Sequence, residues 1–251
     1  MTRHFASCMT FRTFGFVALL ALSTFVGCHR SAPPVSGLKP TATGTAIVES
    51  SGGHQIGVTG TALNDPLVVQ VNDDQGTAVT GALVEFHGPA SVNFDPAVVL
   101  TDSSGQATTT VTLGAFAGRY QLSVVTPGKT HLITLEVVET ALGYQQKLGS
   151  ILADKYCNRC HDPESSPERV SNYDNLAVKP HPFTEGDTLN KMSDADLTSI
   201  IVHGGPALNR SALMPPYGNT LSAADVRALI AYTRAVADPP YQPAGTVYAF
   251  K

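Results

Sequence analysis

Cys157-Asn158-Arg159-Cys160-His161 is the stretch on which the reading of this chain turns. Two cysteines three apart, followed directly by histidine, supply what a covalently attached haem needs. Each thiol can add to one vinyl group of a porphyrin, and the adjacent imidazole is then held beneath the iron. The cysteine spacing without the histidine is a weak signal, because zinc sites and redox-active dithiols share it. A structural zinc wants four Cys or His ligands, and the chain has no second cysteine pair to complete such a set. A dithiol of the thioredoxin kind sits in a βαβ context, which is missing around Cys157.

Around this stretch, residues 140–238 carry apolar side chains at helical period. Tyr144, Leu148, Ile151 and Leu152 share one face of a predicted helix that runs into Cys157. Ser193-Asp194-Ala195-Asp196 reads as a helix start, with Leu197, Ile200 and Ile201 as its apolar face and Gly204-Gly205 as its stop. The same start recurs at Ser222-Ala223-Ala224-Asp225, opening a helix that buries Val226, Leu229, Ile230 and Thr233 and ends near Pro239. Three helices joined by long loops make a thin core, to which a flat apolar cofactor would add much of the missing volume.

An iron held by His161 has a sixth position to fill. Met214, Met192, His181 and His203 are the candidates. Met214 fits best. It stands in Leu213-Met214-Pro215-Pro216-Tyr217-Gly218, where proline stiffens the loop and lets it aim a thioether. A thioether is a soft ligand that favours the ferrous state and raises the potential. Met192, just before a helix start, reads as a packing residue. His181 lies in a loop between Pro180 and Pro182, and His203 at a helix end.

On these residues Thr140–Val236 resembles a class I cytochrome c: Gly149, Cys157, Cys160, His161, Leu197, Ile200, Gly204, Met214, Pro215, Leu221, Ser222, Leu229 and Tyr232 carry the likeness. The resemblance implies an all-α fold around one covalent haem c. It implies a crossing of the first and last helices near Gly149, with Leu229 and Tyr232 at the contact. Ala153 stands where many members carry an aromatic residue, with Tyr156 or Tyr144 as possible substitutes. It also implies a proline carbonyl on the other nitrogen of His161, from Pro167, Pro180 or Pro182.

Residues 46–139 have a different period. Short β-branched runs (Leu67–Val71, Ala82–Phe86, Val98–Thr101, Ala107–Leu113, Tyr120–Val125 and Leu132–Val138) alternate with turn compositions such as Asp73-Asp74-Gln75-Gly76 and Asp102-Ser103-Ser104-Gly105. About seven strands at this spacing predict an antiparallel sandwich. Val71-Asn72-Asp73, Val79 to Phe86, Thr101 to Ala107 and Gly118-Arg119-Tyr120 resemble the bacterial immunoglobulin-like domains of the invasin and intimin type. That resemblance implies a spacer or adhesive module, with Tyr120 in the tyrosine-corner position. His54, His87 and His131 lack metal-binding spacing.

Residues 1–28 read as an export signal, with Arg3 and Arg12 before an apolar run, Phe14 to Val26, too short to span a bilayer comfortably. Phe25-Val26-Gly27-Cys28 resembles the lipobox of bacterial lipoproteins, with Phe25 where leucine is usual; an ordinary cleaved signal is the alternative. The resemblance implies that Cys28 carries lipid. Residues 29–45 are a proline-rich linker and 239–251 a tail.

The expected protein is therefore multidomain: an all-β immunoglobulin-like sandwich followed by an all-α cytochrome c fold. It is exported, faces the periplasm or the outer surface, and is lipid-anchored to a bacterial membrane. His161 and Met214 together leave iron no open position, so the expected activity is outer-sphere electron transfer rather than catalysis, with redox proteins as donor and acceptor. The alternatives are a haem enzyme or sensor with a displaceable sixth ligand, or an adhesion or assembly protein acting through the sandwich. The net charge of -4 gives no general case for nucleic-acid binding.

Overall fold

The computed structural model describes residues 37–166 and 169–243. Cys28, the export signal, Pro167 and the end of the tail lie outside the described residues. Nine strands form two sheets: β1 (Ala46–Ser51), β2 (Ile56–Val58), β3 (Leu67–Asn72), β4 (Leu83–His87), β5 (Asn93–Asp95), β6 (Val98–Leu100), β7 (Gln106–Thr112), β8 (Gly118–Pro127) and β9 (Leu132–Leu142). One sheet has the order β1-β3-β7-β5 and the other β2-β9-β8-β4-β6. Every pairing between strands is antiparallel except β2 on β9. Alternate residues point inward, as the pleat requires. Leu67, Val69 and Val71 meet Val84, Phe86, Ala107, Val111, Leu122 and Val124 in one buried core.

Two of the unpredicted strands, β2 and β5, are three residues long, too short for a period to show. The third, β1, buries only Ile47. The two predicted turns are built alike. Asp73 Oδ1 accepts from the amides of Gln75 and Thr77, and Asp102 Oδ1 from those of Ser104 and Gln106. Each turn closes on a glycine at positive φ, Gly76 at 78° and Gly105 at 71°, which glycine adopts without steric cost. Tyr120 makes the tyrosine corner: its buried ring sends the hydroxyl to the Phe116 carbonyl at 2.8 Å.

Glu139 on β9 was not singled out by sequence. Its side chain is fully buried, accepts one bond from the Gln55 amide at 2.6 Å, and leaves Oε1 without a partner among the described residues. Burial pushes its carboxyl up to about 7 against the hydrogen bond, and nearby Glu49 adds to the rise. The folded state thus holds this proton more tightly than the unfolded chain, whose carboxyl titrates near 4.5. Stability is expected to be full below pH 4.5 as far as this group is concerned, and to fall by about 3 kcal/mol as pH rises from there to about 7. Urea midpoints at pH 5 and pH 8 check this. Glu139→Gln should flatten the difference, and an equal difference in both proteins would contradict the assignment.

Strand β9 runs on to Leu142, so the predicted helical segment begins at Tyr144 rather than Thr140. Glu139 to Leu142 stay in the sheet because β8 pairs Glu139 to Ala141 on one side and β2 pairs Thr140 to Leu142 on the other. Gly143 alone separates the last strand from α1 (Tyr144–Tyr156). Arg119 of β8 ties the two halves a second time: Nη2 donates to the Ala237 carbonyl at 2.5 Å, and Nη1 lies 3.8 Å from Asp238.

Beyond α1 come α2 (Asn158–His161), α3 (Gly186–Leu189), α4 (Asp194–His203) and α5 (Ala223–Val236). The two single-turn helices, α2 and α3, are too short for periodicity to reveal. Both predicted starts are capping boxes. Ser193 Oγ accepts from Asp196 N–H while the Asp196 carboxylate accepts from Ser193 N–H, and Ser222 and Asp225 repeat the exchange. On α1 the predicted apolar face is half right: Leu152 packs against the core and Leu148 is half-buried, but the fully buried residues are Gly149 and Ala153. Tyr144 and Ile151 are exposed. Small residues four apart let α5 approach more closely than a leucine face would. A Cβ on Gly149 would stand 2.0 Å from the Ala228 carbonyl oxygen and 2.7 Å from Tyr232 Cβ. The helices therefore cross at Gly149 against Ala228 and Tyr232, while Leu229 turns into the core beside Ala153.

Candidate functional site

The last turn of α1 leads straight into the cysteines. Cys157 N–H donates to the Ala153 carbonyl at 2.8 Å, and His161 N–H returns to the Cys157 carbonyl at 3.0 Å. The turn is gripped from outside by residues that sequence reading missed. Arg169 donates to the Asn158 carbonyl at 3.0 Å and to Asp162 Oδ2 at 2.6 Å, and Asn172 N–H donates to the Arg159 carbonyl at 2.7 Å. No spacing rule links these positions; only the return of the loop brings them together.

A cavity of about 260 Å³ opens beside this turn. Cys157, Cys160, His161 and Met214 all line it, with Leu197, Ile200 and Ile201 of α4 and Leu229 and Ile230 of α5 forming much of the apolar wall. Both cysteines are free thiols. Burial, with Cys160 nearby, pushes the Cys157 thiol up to about 12. A reactive dithiol needs the opposite shift, toward thiolate, so this turn is poorly suited to disulfide exchange. Among the described residues no group of three or more His, Cys, Asp or Glu is placed to hold a metal ion, which leaves a zinc site without its ligands.

His161 is fixed on two sides. Its Nδ1 lies 2.8 Å from the His181 carbonyl, and its ring stacks on Phe183 at 5.1 Å between centroids and 3° between planes. With Nδ1 donating, Nε2 keeps its lone pair for a metal. Burial lowers the pKa of the ring below the ordinary histidine value, which favours the neutral, ligating form. The backbone acceptor is neither of the described prolines themselves. It is the carbonyl between them, from His181, which is bonded to the Pro182 nitrogen. Phe183 then meets Tyr232 edge-on at 5.9 Å. It thus supplies an aromatic contact near the helix crossing, where Ala153 lacks one and Tyr144 is exposed.

Met214 is placed by glycines. Gly204, at φ 82°, ends α4, and a Cβ there would come within 2.8 Å of the Met214 carbonyl oxygen. Gly205 N–H donates to that same carbonyl at 3.0 Å. The glycine pair therefore ends the helix and seats the methionine loop against its end.

The other candidates separate. Met192 lines the cavity and packs on its core. The His181 ring, also on the wall, has Nδ1 3.0 Å from both oxygens of Glu185. His203 lies in a separate depression with Val202, Pro216, Gly218 and Asn219.

The family model for subunit III of cbb3-type cytochrome c oxidase matches residues 145–232. No curated protein matches the chain. Among solved structures, the D00-D0 domain of intimin is 20% identical, over 42% of this chain and 51% of that one, with a TM-score of 0.31. Domains 4 and 5 of the S-layer protein SbsC are 16% identical, over 39% and 52%, at 0.30. The Yersinia pseudotuberculosis adhesin InvE is 15% identical, over 39% and 32%, at 0.30. The chain spans about half the length of the first two. These slight likenesses carry nothing about activity, and the sandwich is assigned from its own sheets and its tyrosine corner.

A c-type cytochrome domain implies haem c binding, and the wall fits that group: two free thiols, an imidazole with one nitrogen committed, a thioether and an apolar lining. The chain carries an immunoglobulin-like β-sandwich followed by a c-type cytochrome domain.

Proposed function

We propose that this protein is an exported, membrane-anchored electron carrier with one haem, attached through Cys157 and Cys160 and ligated by His161 and Met214. The observation that carries the proposal is the meeting of all four side chains on one cavity wall, although Met214 lies more than fifty residues along the chain from His161. Bound there, haem supplies one-electron exchange between ferrous and ferric iron.

The residues of the chain provide the rest. The His181 carbonyl and the Phe183 ring hold the His161 imidazole in one orientation, which limits rearrangement when charge changes. Gly204 and Gly205 seat the Met214 loop, and the leucines and isoleucines of α4 and α5 exclude water, which tunes the potential. With His161 and Met214 both holding the iron, no position would be left for a substrate, and the partners would be a redox protein donor and a redox protein acceptor. The sandwich serves as a spacer between this domain and a lipid on Cys28. That anchor is motivated by the Phe25-Val26-Gly27-Cys28 sequence, and release of Cys28→Ser from the membrane fraction checks it. Among the described residues no helix is long and apolar enough to cross a membrane.

Met214→Ala tests the ligand set. The near-infrared sulfur–iron band of the ferric protein is expected in wild type and absent in the variant. The ferrous variant should bind carbon monoxide readily, and the wild type should resist it. A wild type without the band, or one that takes up carbon monoxide as fast as the variant, would refute methionine ligation.

A further inference from the structure

Among the described residues the wall of the cavity contains no aspartate or glutamate, although the chain has 20 acidic residues against 16 lysines and arginines. Its fixed positive charges are Lys179 and Arg210. Lys179 already donates to Asp174 at 3.0 Å and lies over the Tyr173 ring. Arg210 is exposed and has no carboxylate or carbonyl partner for its guanidinium among the described residues.

The backbone at Arg210 is nonetheless fixed. Its N–H donates to the Gly205 carbonyl at 2.9 Å, and Gly205 N–H donates in turn to the Met214 carbonyl. Asn209, at φ 53°, turns the chain into this bond, and a Cβ on Gly205 would come within 2.0 Å of the Ser211 carbonyl oxygen. One closed loop thus sets both Met214 and Arg210 on the cavity wall. A guanidinium held at an apolar opening without an anion is placed to receive one from the ligand, and it matches a carboxylate in geometry as well as charge.

We propose that Arg210 is the ion-pair partner of a carboxylate on the bound cofactor, and that its charge holds the reduction potential up. This deepens the haem reading and rests on it: haem carries two propionates, and a cation near the iron opposes the gain of positive charge on oxidation.

The test compares wild type, Arg210→Gln, Arg210→Lys and Lys179→Gln, each matured with haem, by optical redox titration. Arg210→Gln is expected to titrate at a lower midpoint potential with the sulfur–iron band intact. Arg210→Lys should recover most of the difference. Lys179→Gln should move the potential less, because Asp174 already balances that charge. An unchanged midpoint in Arg210→Gln, or an equal drop in Arg210→Lys, would overturn the proposal while leaving the haem reading standing. If no variant and no wild type holds haem, both fail together.

Discussion

Gly149→Ala is expected to destabilise the helical half of the molecule by about 3 kcal/mol, and Gly149→Val by more. Two effects oppose each other. Alanine inside a helix is favoured over glycine by about 1 kcal/mol. Against that, a methyl at this position would meet the Ala228 carbonyl carbon at 2.6 Å as well as its oxygen and Tyr232 Cβ. The near atoms are largely backbone of α5, so no side-chain rotation relieves the contact. The helices must separate, and Ala153, Leu229 and Ile230 lose packing in the core they share. Overpacking therefore outweighs propensity. Urea titration followed by helical circular dichroism reads the result. A Gly149→Ala protein as stable as wild type would show that α1 and α5 do not meet as closely as described.

Replacing both thiols, Cys157→Ala with Cys160→Ala, is expected to leave the fold of the sandwich intact and abolish retention of colour after acid–acetone extraction. The same variant separates the three chemistries that a cysteine pair allows. A zinc site would lose zinc, and a dithiol would lose reactivity toward disulfides, but neither change would alter a haem spectrum. The buried, protonated Cys157 thiol and the lack of a three-ligand metal cluster among the described residues favour haem attachment over both. Single replacements should each keep a haem bound through one sulfur, with a shifted α-band. A double variant whose colour still resists extraction would place the linkage elsewhere.

The four residues that meet on the cavity wall could be picked out in sequence because their signals are local. Cys157, Cys160 and His161 are adjacent, and Met214 announces itself through Pro215 and Pro216. Helix starts at Ser193 and Ser222 were legible for the same reason, since a capping box spans four residues. What surrounds the site was less so. The carbonyl on His161 comes from His181, between the two prolines that drew the expectation, because the acceptor depends on how the loop returns and not on which residue type is present. Phe183 and Arg169 act only through that return. The face of α1 was only partly legible: Leu152 packs on the core as its period implies, while the helix contact itself selects the small residues Gly149 and Ala153. Strands β2 and β5 escaped notice because three residues define no period. Glu139 could not be found by pattern, since a glutamate in a strand is ordinarily read as facing solvent.

The proposed function stands on carbon–sulfur bonds from Cys157 and Cys160 to haem. Mass analysis of the proteolytic peptide holding Cys157–His161, from protein matured in cells that attach haem, tests it most directly. One haem on that peptide after denaturation is the result predicted; a peptide carrying two unmodified thiols in such a preparation would contradict it.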